Sequence, residues 1–328
     1  MKAIVATRTG GPEVLEVQEV APPQPQAGET LVQVEACGLN FADLLTFAGQ
    51  YSGGPPTPFI VGREFCGTEA ETGQRVMGYL EYGGFAEQVA VPRHRMWPAP
   101  ENFSSLQAAA FPVNFFTAFF AFWEAGLLHP SPDDVLRFPK GRRPRVLIHA
   151  VGGGVGTAAL QIARILNIET YGTASTDSKI QRALALGLDH GIVSSHQDFV
   201  ELVREQTQGE GVDAVLEMVG GDETARSLRT LALLGRCILY GSASGEPPRF
   251  DARHLYSKLQ SVWGLWLSRA SAHPALMQMA HQQLMRWVAD GRLQPVIGHT
   301  LPFREAAEGF RLLQQRETFG KVVLKLQD

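Results

Sequence analysis

The sequence predicts an α/β protein in two parts, a β-rich domain followed by a doubly wound parallel sheet. Three observations carry that expectation. Short β-branched segments punctuated by Gly and Pro fill residues 1–100. From residue 145 onward, strand-like and helix-like segments alternate at the spacing of βαβ units. A glycine cluster stands where the first of those strands would run into the first helix. A chain of 328 residues, 45% of them hydrophobic, also suits two cores better than one.

In the β-rich part, Ala3–Ala6, Val14–Val20 and Thr30–Ala36 are short and roughly alternating. Gly10-Gly11-Pro12 and Pro22-Pro23-Gln24-Pro25 separate them, so a small barrel or partly closed sheet is expected. Ser105–Trp123 is nearly unbroken apolar sequence with alanines and reads as one buried helical connector. Pro130–Arg145 reads as a polar surface linker. Strands are then expected at Arg145–Ala150, Glu169–Thr173, Ala214–Glu217 and Arg236–Gly241. Helices are expected at Gly156–Leu166, Ser178–Leu186 and Thr224–Leu234. The tail alternates helix (Ala275–Asp290), extended piece (Pro295–Pro302), helix (Arg304–Arg316) and strand (Lys321–Leu326). That pattern does not fit inside a nucleotide fold, so the tail is expected to return to the first domain.

Composition excludes several classes. With 29 basic against 33 acidic residues, no basic excess points to nucleic acid or an anionic membrane. No apolar run is long enough to span a bilayer. Met1 leads into a strand-like segment rather than a signal peptide. Cys37, Cys66 and Cys237 are too few and too scattered for a disulfide framework or a four-cysteine zinc site. The expectation is a soluble cytoplasmic protein with reduced thiols.

The strongest motif is Val146-Leu147-Ile148-His149-Ala150-Val151-Gly152-Gly153-Gly154-Val155-Gly156. Glycines allow a tight turn and let backbone amides approach a pyrophosphate, and the helix start adds free N–H groups and a favourable dipole. In the dinucleotide G-x-G-x-x-G frame the positions are Val151, Gly153 and Gly156, so the first glycine is missing. The bland alternative is a tight turn without a ligand. The strand before and helix after favour a dinucleotide site formed by Ala150, Gly153, Gly154, Val155 and Gly156.

An NAD site usually ends its second strand on a carboxylate for the ribose 2′-hydroxyl. Here Glu169–Thr173 is followed by Ala174-Ser175-Thr176. The hydroxyls of Thr173, Ser175 and Thr176, with Lys179 one turn into the next helix, suit a 2′-phosphate, so NADPH is favoured over NADH. Asp177 reads as a helix-start acid. A second glycine loop, Leu239–Gly245, follows a later strand, and Gly241 and Ser242 are expected along the nicotinamide. Val219-Gly220-Gly221 follows the same logic with less support.

With these residues in view, the chain resembles the medium-chain dehydrogenase/reductase superfamily, in its zinc-free NADPH:quinone oxidoreductase group. The motifs are Cys37-Gly38-Leu39-Asn40-Phe41-Ala42-Asp43-Leu44, Gly62-Arg63-Glu64-Phe65-Cys66-Gly67, the Ala150–Gly156 turn, Gly172-Thr173-Ala174-Ser175, Leu239-Tyr240-Gly241 and Gly320-Lys321-Val322-Val323-Leu324. Gly38–Leu44 and Pro112–Ala118 are most similar to the branch of synaptic-vesicle membrane reductase-like proteins. The resemblance implies a GroES-like β-barrel catalytic domain from both chain ends (1–118 and 272–328) and a Rossmann domain between them (119–271).

It also implies a metal-free site. Zinc-dependent members bind zinc through Cys, His and Cys. Those positions read here as Asn40, Arg63 and a residue near Val113, and an arginine repels a cation. The nine His form no ligand pattern, and Cys37 and Cys66 read as small core residues. The implied chemistry is hydride transfer from NADPH to a small apolar quinone or enone. The matching polar residues are Asn40 near the nicotinamide ribose, Thr117 near the carboxamide and Tyr51 near a substrate oxygen. The bland alternatives are a turn cap for Asn40 and a loop anchor for Tyr51. Asp43 reads as structural, while Arg63 and Glu64 are expected to pair with each other or with Asp43. Leu45 and Phe47 replace polar cleft positions and imply a more apolar pocket. Gly67–Arg75 is short for the family and Leu128–Arg145 expanded. Ser261–Leu267 matches the strand through which the family forms homodimers. The competing class is a nucleotide-binding sensor or structural protein with little catalysis, which the sparse polar cleft would suit.

Overall fold

The computed structural model describes residues 1–128 and 141–326. Most of the expected linker at 130–145, and of the expansion at 128–145, lies outside the described residues. The chain divides into two compact units, residues 1–114 with 271–328, and residues 115–270.

The first unit opens with β1 (Lys2–Ala6), β2 (Leu15–Glu19), β3 (Glu29–Gly38), α1 (Phe41–Phe47), β4 (Phe59–Ile60), β5 (Glu64–Glu69), β6 (Arg75–Tyr79), β7 (Gln88–Pro92) and β8 (Met96–Pro98). The expected strand at Val14–Val20 starts one residue late, because Pro12–Val14 forms a 3-10 turn. The expected single connector is two helices, α2 (Ser105–Ala109) and α3 (Pro112–Glu124). Pro112 opens the second of them, where a missing N–H costs nothing. Ser104 and Gln107 close a reciprocal cap on α2, each side chain accepting the other's backbone N–H at 3.2 and 2.9 Å.

The second unit carries β9 (Arg145–Ile148), α4 (Gly154–Ile165), β10 (Glu169–Ala174), α5 (Asp177–Ala185), β11 (His190–Val193), α6 (Phe199–Gln206), β12 (Val212–Glu217), α7 (Glu223–Arg229), β13 (Leu231–Leu239), β14 (Ser261–Gly264) and α8 (Leu267–Ala270). Its strands lie in the order β11-β10-β9-β12-β13-β14, every pairing parallel. This is the doubly wound dinucleotide order, with the chain reversing direction of travel between β9 and β12. The core is an all-apolar layer, including Leu147, Ile192, Val215 and Cys237.

Two expectations here are corrected. The helix expected over Thr224–Leu234 stops at Arg229, and Leu231–Leu234 belong to β13. That apolar run fits either period. Pairing of Leu231 with Val212 in the sheet decides it, and Leu234 then turns through φ 59° where the register shifts. The strand expected at Ser261–Leu267 ends at Gly264, and Leu267 starts a short helix.

The chain then returns through α9 (Pro274–Ala289), β15 (Ile297–Pro302), α10 (Ala306–Gln314) and β16 (Lys321–Lys325). β16 pairs antiparallel with β3 through Val323–Gly38, Leu324–Cys37 and Lys325–Ala36. The first unit therefore has a sheet running β15-β16-β3-β5-β6-β8, with β7 also on β3, and a smaller sheet β2-β1-β4. An antiparallel bridge between Ala3 and Ala86 joins β1 to the segment before β7. The two ends of the chain share one core. Phe47 meets Phe310 edge to face at 5.0 Å, and Phe85 lies 6.2 Å from the same ring.

Candidate functional site

β9 delivers the chain to the glycine turn. Ala150 takes the left-handed conformation at φ 49°, which costs a residue with a Cβ roughly 1–2 kcal/mol. Its carbonyl accepts the Gly153 N–H at 2.8 Å, and Gly153 caps α4 in extended conformation. A Cβ on Gly156 would lie 2.5 Å from the Ala150 carbonyl oxygen and 2.6 Å from that of Val151. Only glycine lets the helix begin so close to the strand. Gly153, Gly154 and Val155 stay partly open to solvent, and the first-turn N–H groups of a helix have no acceptor within it. They stand at the carboxyl end of β9, beside the switch point, where an anion is favoured.

At the end of β10, Thr173 is 5% exposed, and its hydroxyl faces Nδ1 of His149 at 3.1 Å. Ser175 and Lys179 do come together, with Nζ donating to Oγ at 3.4 Å. Thr176 caps α5 by accepting the Lys179 N–H, and Asp177 is the first helical residue. The two later glycine loops form one packed layer. The N–H groups of Ala243 and Ser244 donate to the carbonyls of Met218 and Val219, each at 2.8 Å. Gly241 and Ser242 lie within that layer, and the Ser242 hydroxyl donates to the Glu246 carbonyl. Thr117 is buried on α3.

The first unit buries a second polar cluster. Asn40 precedes α1, and the Asp43 carboxylate accepts its backbone N–H at 2.9 Å. Arg63, only 4% exposed, donates to Asp43 and to the Thr46 hydroxyl, both at 2.9 Å. Its guanidinium also lies over the Tyr51 ring, 4.4 Å from the centroid. Of the two pairings expected for Arg63, the one with Asp43 forms, and Glu64, fully buried, pairs instead with Lys321. It also accepts the Val113 N–H at 2.8 Å and the Asn40 amide at 3.0 Å. Lys321 donates to Asn40 Oδ1 at 2.6 Å and to Asn114 Oδ1 at 3.4 Å. Burial lifts the Asp43 and Glu64 carboxyls above the usual range, opposed by Arg63 and Lys321 respectively. Phe47 belongs to the core rather than to a cleft wall, and only Leu45 of that pair remains partly open.

Comparison with known proteins bears on both units. Residues 26–101 match the alcohol dehydrogenase GroES-like domain, and residues 186–324 match a family described as zinc-binding dehydrogenase. Over 324 residues the chain is 32% identical to quinone oxidoreductase-like protein 2 of Bos taurus, covering 95% of this chain and 89% of that one. The chain belongs to the medium-chain dehydrogenase/reductase superfamily. Within this superfamily it is 31% identical to the synaptic vesicle membrane protein VAT-1 homolog-like of Homo sapiens, across 100% of this chain and 81% of the other. The quinone oxidoreductase from Thermus thermophilus, solved also in complex with NADPH, superposes with a TM-score of 0.84 at 35% identity, covering 99% and 100% of the two chains.

As a member of the superfamily the chain is an NAD(P)-dependent oxidoreductase, with a GroES-like and a Rossmann domain. The residues present do not fit the zinc that the matching family description names. Asp43 and Glu64 already hold Arg63 and Lys321 as counter-ions, and the Asn40 side chain is engaged at both ends. Among the described residues no group of three or more His, Cys, Asp or Glu could hold a metal ion, and no helix is long and apolar enough to cross a membrane. The glycine turn, by contrast, fits a dinucleotide phosphate.

Lys321 as the partner of Glu64, and His149 and Glu217 as neighbouring buried polar groups, were not expected from the sequence. The available signals were a lysine opening an otherwise apolar strand and single polar residues closing the buried runs of β9 and β12.

Proposed function

We propose that this chain is a metal-independent NADPH-dependent reductase that passes hydride to a conjugated acceptor, a small apolar quinone or an activated alkene such as an enone. The observation that carries this reading is the paired state of Asp43 with Arg63 and Glu64 with Lys321. With those carboxylates neutralised by side chains, the cluster is not built to hold a Lewis acid, which favours an acceptor that is itself strongly electrophilic. Bound NADPH supplies the hydride.

The protein's own residues then bind, orient and exclude water. The turn Ala150, Gly153, Gly154, Val155 and Gly156 takes the pyrophosphate, and Ser175 with Lys179 takes the 2′-phosphate. Gly241 and Ser242 border the nicotinamide. Asn40, held by Lys321 and Glu64, meets the ribose, and Thr117 meets the carboxamide. Tyr51, with Arg63 over its ring, donates a hydrogen bond to the acceptor oxygen. Buried free thiols at Cys37, Cys66 and Cys237 suit the reducing cytoplasm. The open edge of β14, with Trp263 42% exposed, suits a homodimer.

The test is NADPH oxidation followed by absorbance with one ortho-quinone, one para-quinone and several enones, before and after chelator treatment. Turnover of at least one acceptor class, unchanged by chelation, is expected. NADPH binding without oxidation of any acceptor would favour a nucleotide sensor, and loss of activity with chelator would overturn the metal-free reading.

A further inference from the structure

Beneath the loops assigned to the cofactor runs a buried chain of polar groups that the proposed chemistry does not use. Thr173 Oγ1 lies 3.1 Å from His149 Nδ1, and His149 Nε2 lies 2.8 Å from Ser227 Oγ. The Ser227 hydroxyl donates to Glu217 Oε2 at 2.6 Å. Glu217 Oε1 accepts the N–H groups of Val219 at 2.6 Å and Gly220 at 3.0 Å. His149 and Thr173 are at most 5% exposed, and Ser227 and Glu217 are fully buried. The His149 ring also stands edge-on to Phe199 at 4.9 Å.

Both ends of this hydrogen-bonded chain reach loops at the carboxyl end of the parallel sheet. Thr173 also lies within 3.4 Å of the Ala150 N–H, and its carbonyl accepts the Val151 N–H at 2.9 Å, so it supports the glycine turn. Glu217 holds Val219 and Gly220, whose neighbourhood in turn receives Ala243 and Ser244. A Cβ on Gly220 would lie 2.7 Å from Ser242 Oγ, so the two later loops are in close contact.

The hydrogen-bond directions favour one arrangement. Glu217 accepts the Ser227 hydroxyl as it does two backbone N–H groups, so the Ser227 oxygen is left to receive N–H from His149 Nε2. Nδ1 is then an acceptor for the Thr173 hydroxyl, whose oxygen is left for the Ala150 N–H. A neutral His149 with its proton on Nε2 satisfies every member. A second proton on Nδ1 would aim two donors at the Thr173 oxygen and deprive its hydroxyl hydrogen of the Nδ1 acceptor.

We propose that His149 is a positioning residue for the cofactor, setting through Thr173, Ser227 and Glu217 the relative placement of the pyrophosphate turn and the nicotinamide-side loops. This rests on the NADPH reading above. It makes cofactor affinity, not the hydride step, the quantity that His149 controls.

The experiment compares NADPH binding by fluorescence and steady-state kinetics in wild type, His149→Leu, His149→Gln and a core control, Ile192→Ala. Ile192 is fully buried in the same sheet; its backbone is the register partner of Thr173, but its apolar side chain is no member of this hydrogen-bonded chain. Thermal melts report the stability of each. His149→Leu is expected to raise the NADPH KM about tenfold while kcat stays within about twofold, the pattern of lost uniform binding. His149→Gln, with one donor restored towards Ser227, recovers part of that affinity. Ile192→Ala lowers Tm without moving KM. Should His149→Leu fail to fold, Ser227→Ala carries the same test. A folded His149→Leu or Ser227→Ala variant with unchanged KM, or an equal KM rise in Ile192→Ala, overturns the inference. Failure of wild type itself to bind NADPH would instead overturn the cofactor reading.

Discussion

Asn40 and Lys321 stand 281 residues apart in sequence and 2.6 Å apart in space. The lysine ties the side chain preceding α1 to the last strand of the chain, and Glu64 closes the triangle by meeting both. A carboxylate, an ammonium and an amide are thereby satisfied together at a position with almost no access to water. Their value lies in fixing the Asn40 amide in one orientation, because desolvating a buried pair offsets most of its attraction.

Removing one partner should therefore be costly. Lys321→Met leaves Glu64 buried without its cation and is expected to lower stability by about 3–5 kcal/mol. Adding Glu64→Gln should restore a substantial part, since the remaining amide carries no charge. Urea denaturation of the single and double variants measures this, and a double variant no more stable than Lys321→Met would contradict it.

Cofactor discrimination should reside in Lys179. Lys179→Glu is expected to weaken NADPH by about 1–3 kcal/mol while leaving NADH binding nearly unchanged. Isothermal titration with both coenzymes checks this, and an unaltered NADPH/NADH ratio would remove the lysine from the phosphate site.

Acid stability should depend on His281. Its ring stacks on Trp97 at 5.7 Å, and its Nε2 is buried without a hydrogen-bond partner among the described residues. Burial pushes its pKa down from 6.5 to about 4. The unfolded chain then takes up the proton first, so the folded form's advantage is complete above the unfolded value and is lost as pH falls from 6.5 towards about 4. His281→Phe keeps an aromatic partner for Trp97 and cannot titrate, so its Tm should fall less than that of wild type across that interval.

Self-association should run through the edge of β14. Trp263 and Trp266 are 42% and 36% exposed there. Sedimentation at micromolar concentration should find a dimer, and Trp263→Glu should shift it towards monomer by setting like charges against each other. A monomeric wild type would end this assignment.

The local parts of this architecture were readable in advance. Alternation in β1 and β3, the strand-to-helix switch at Gly153 and the missing carboxylate after β10 all depend on residues close in sequence. Errors arose where one local pattern suited two outcomes. Leu231–Leu234 fits a helix or a strand until Val212 claims Leu231. Phe47 matches a cleft position in a family pattern, yet Phe310 from the far end of the chain draws it into the core. Thr173 offers a hydroxyl at the right place for a phosphate, and its contact with His149, packed from the neighbouring strand, has no sign in the local sequence. The pairing of Glu64 with Lys321 left as its local sign only a lysine opening an apolar strand, and nothing near it in sequence points to its partner.

The interruption of the first unit by residues 115–270 has a consequence for biosynthesis. The inserted sheet can emerge from the ribosome and fold while its host still lacks β15 and β16. Until translation has passed residue 325, the strand edge of β3 that β16 will occupy is uncovered and Glu64 has no ammonium to meet. Completing the host is therefore a late event, and a nascent polypeptide stalled before that point would expose a β edge for chaperones to shield.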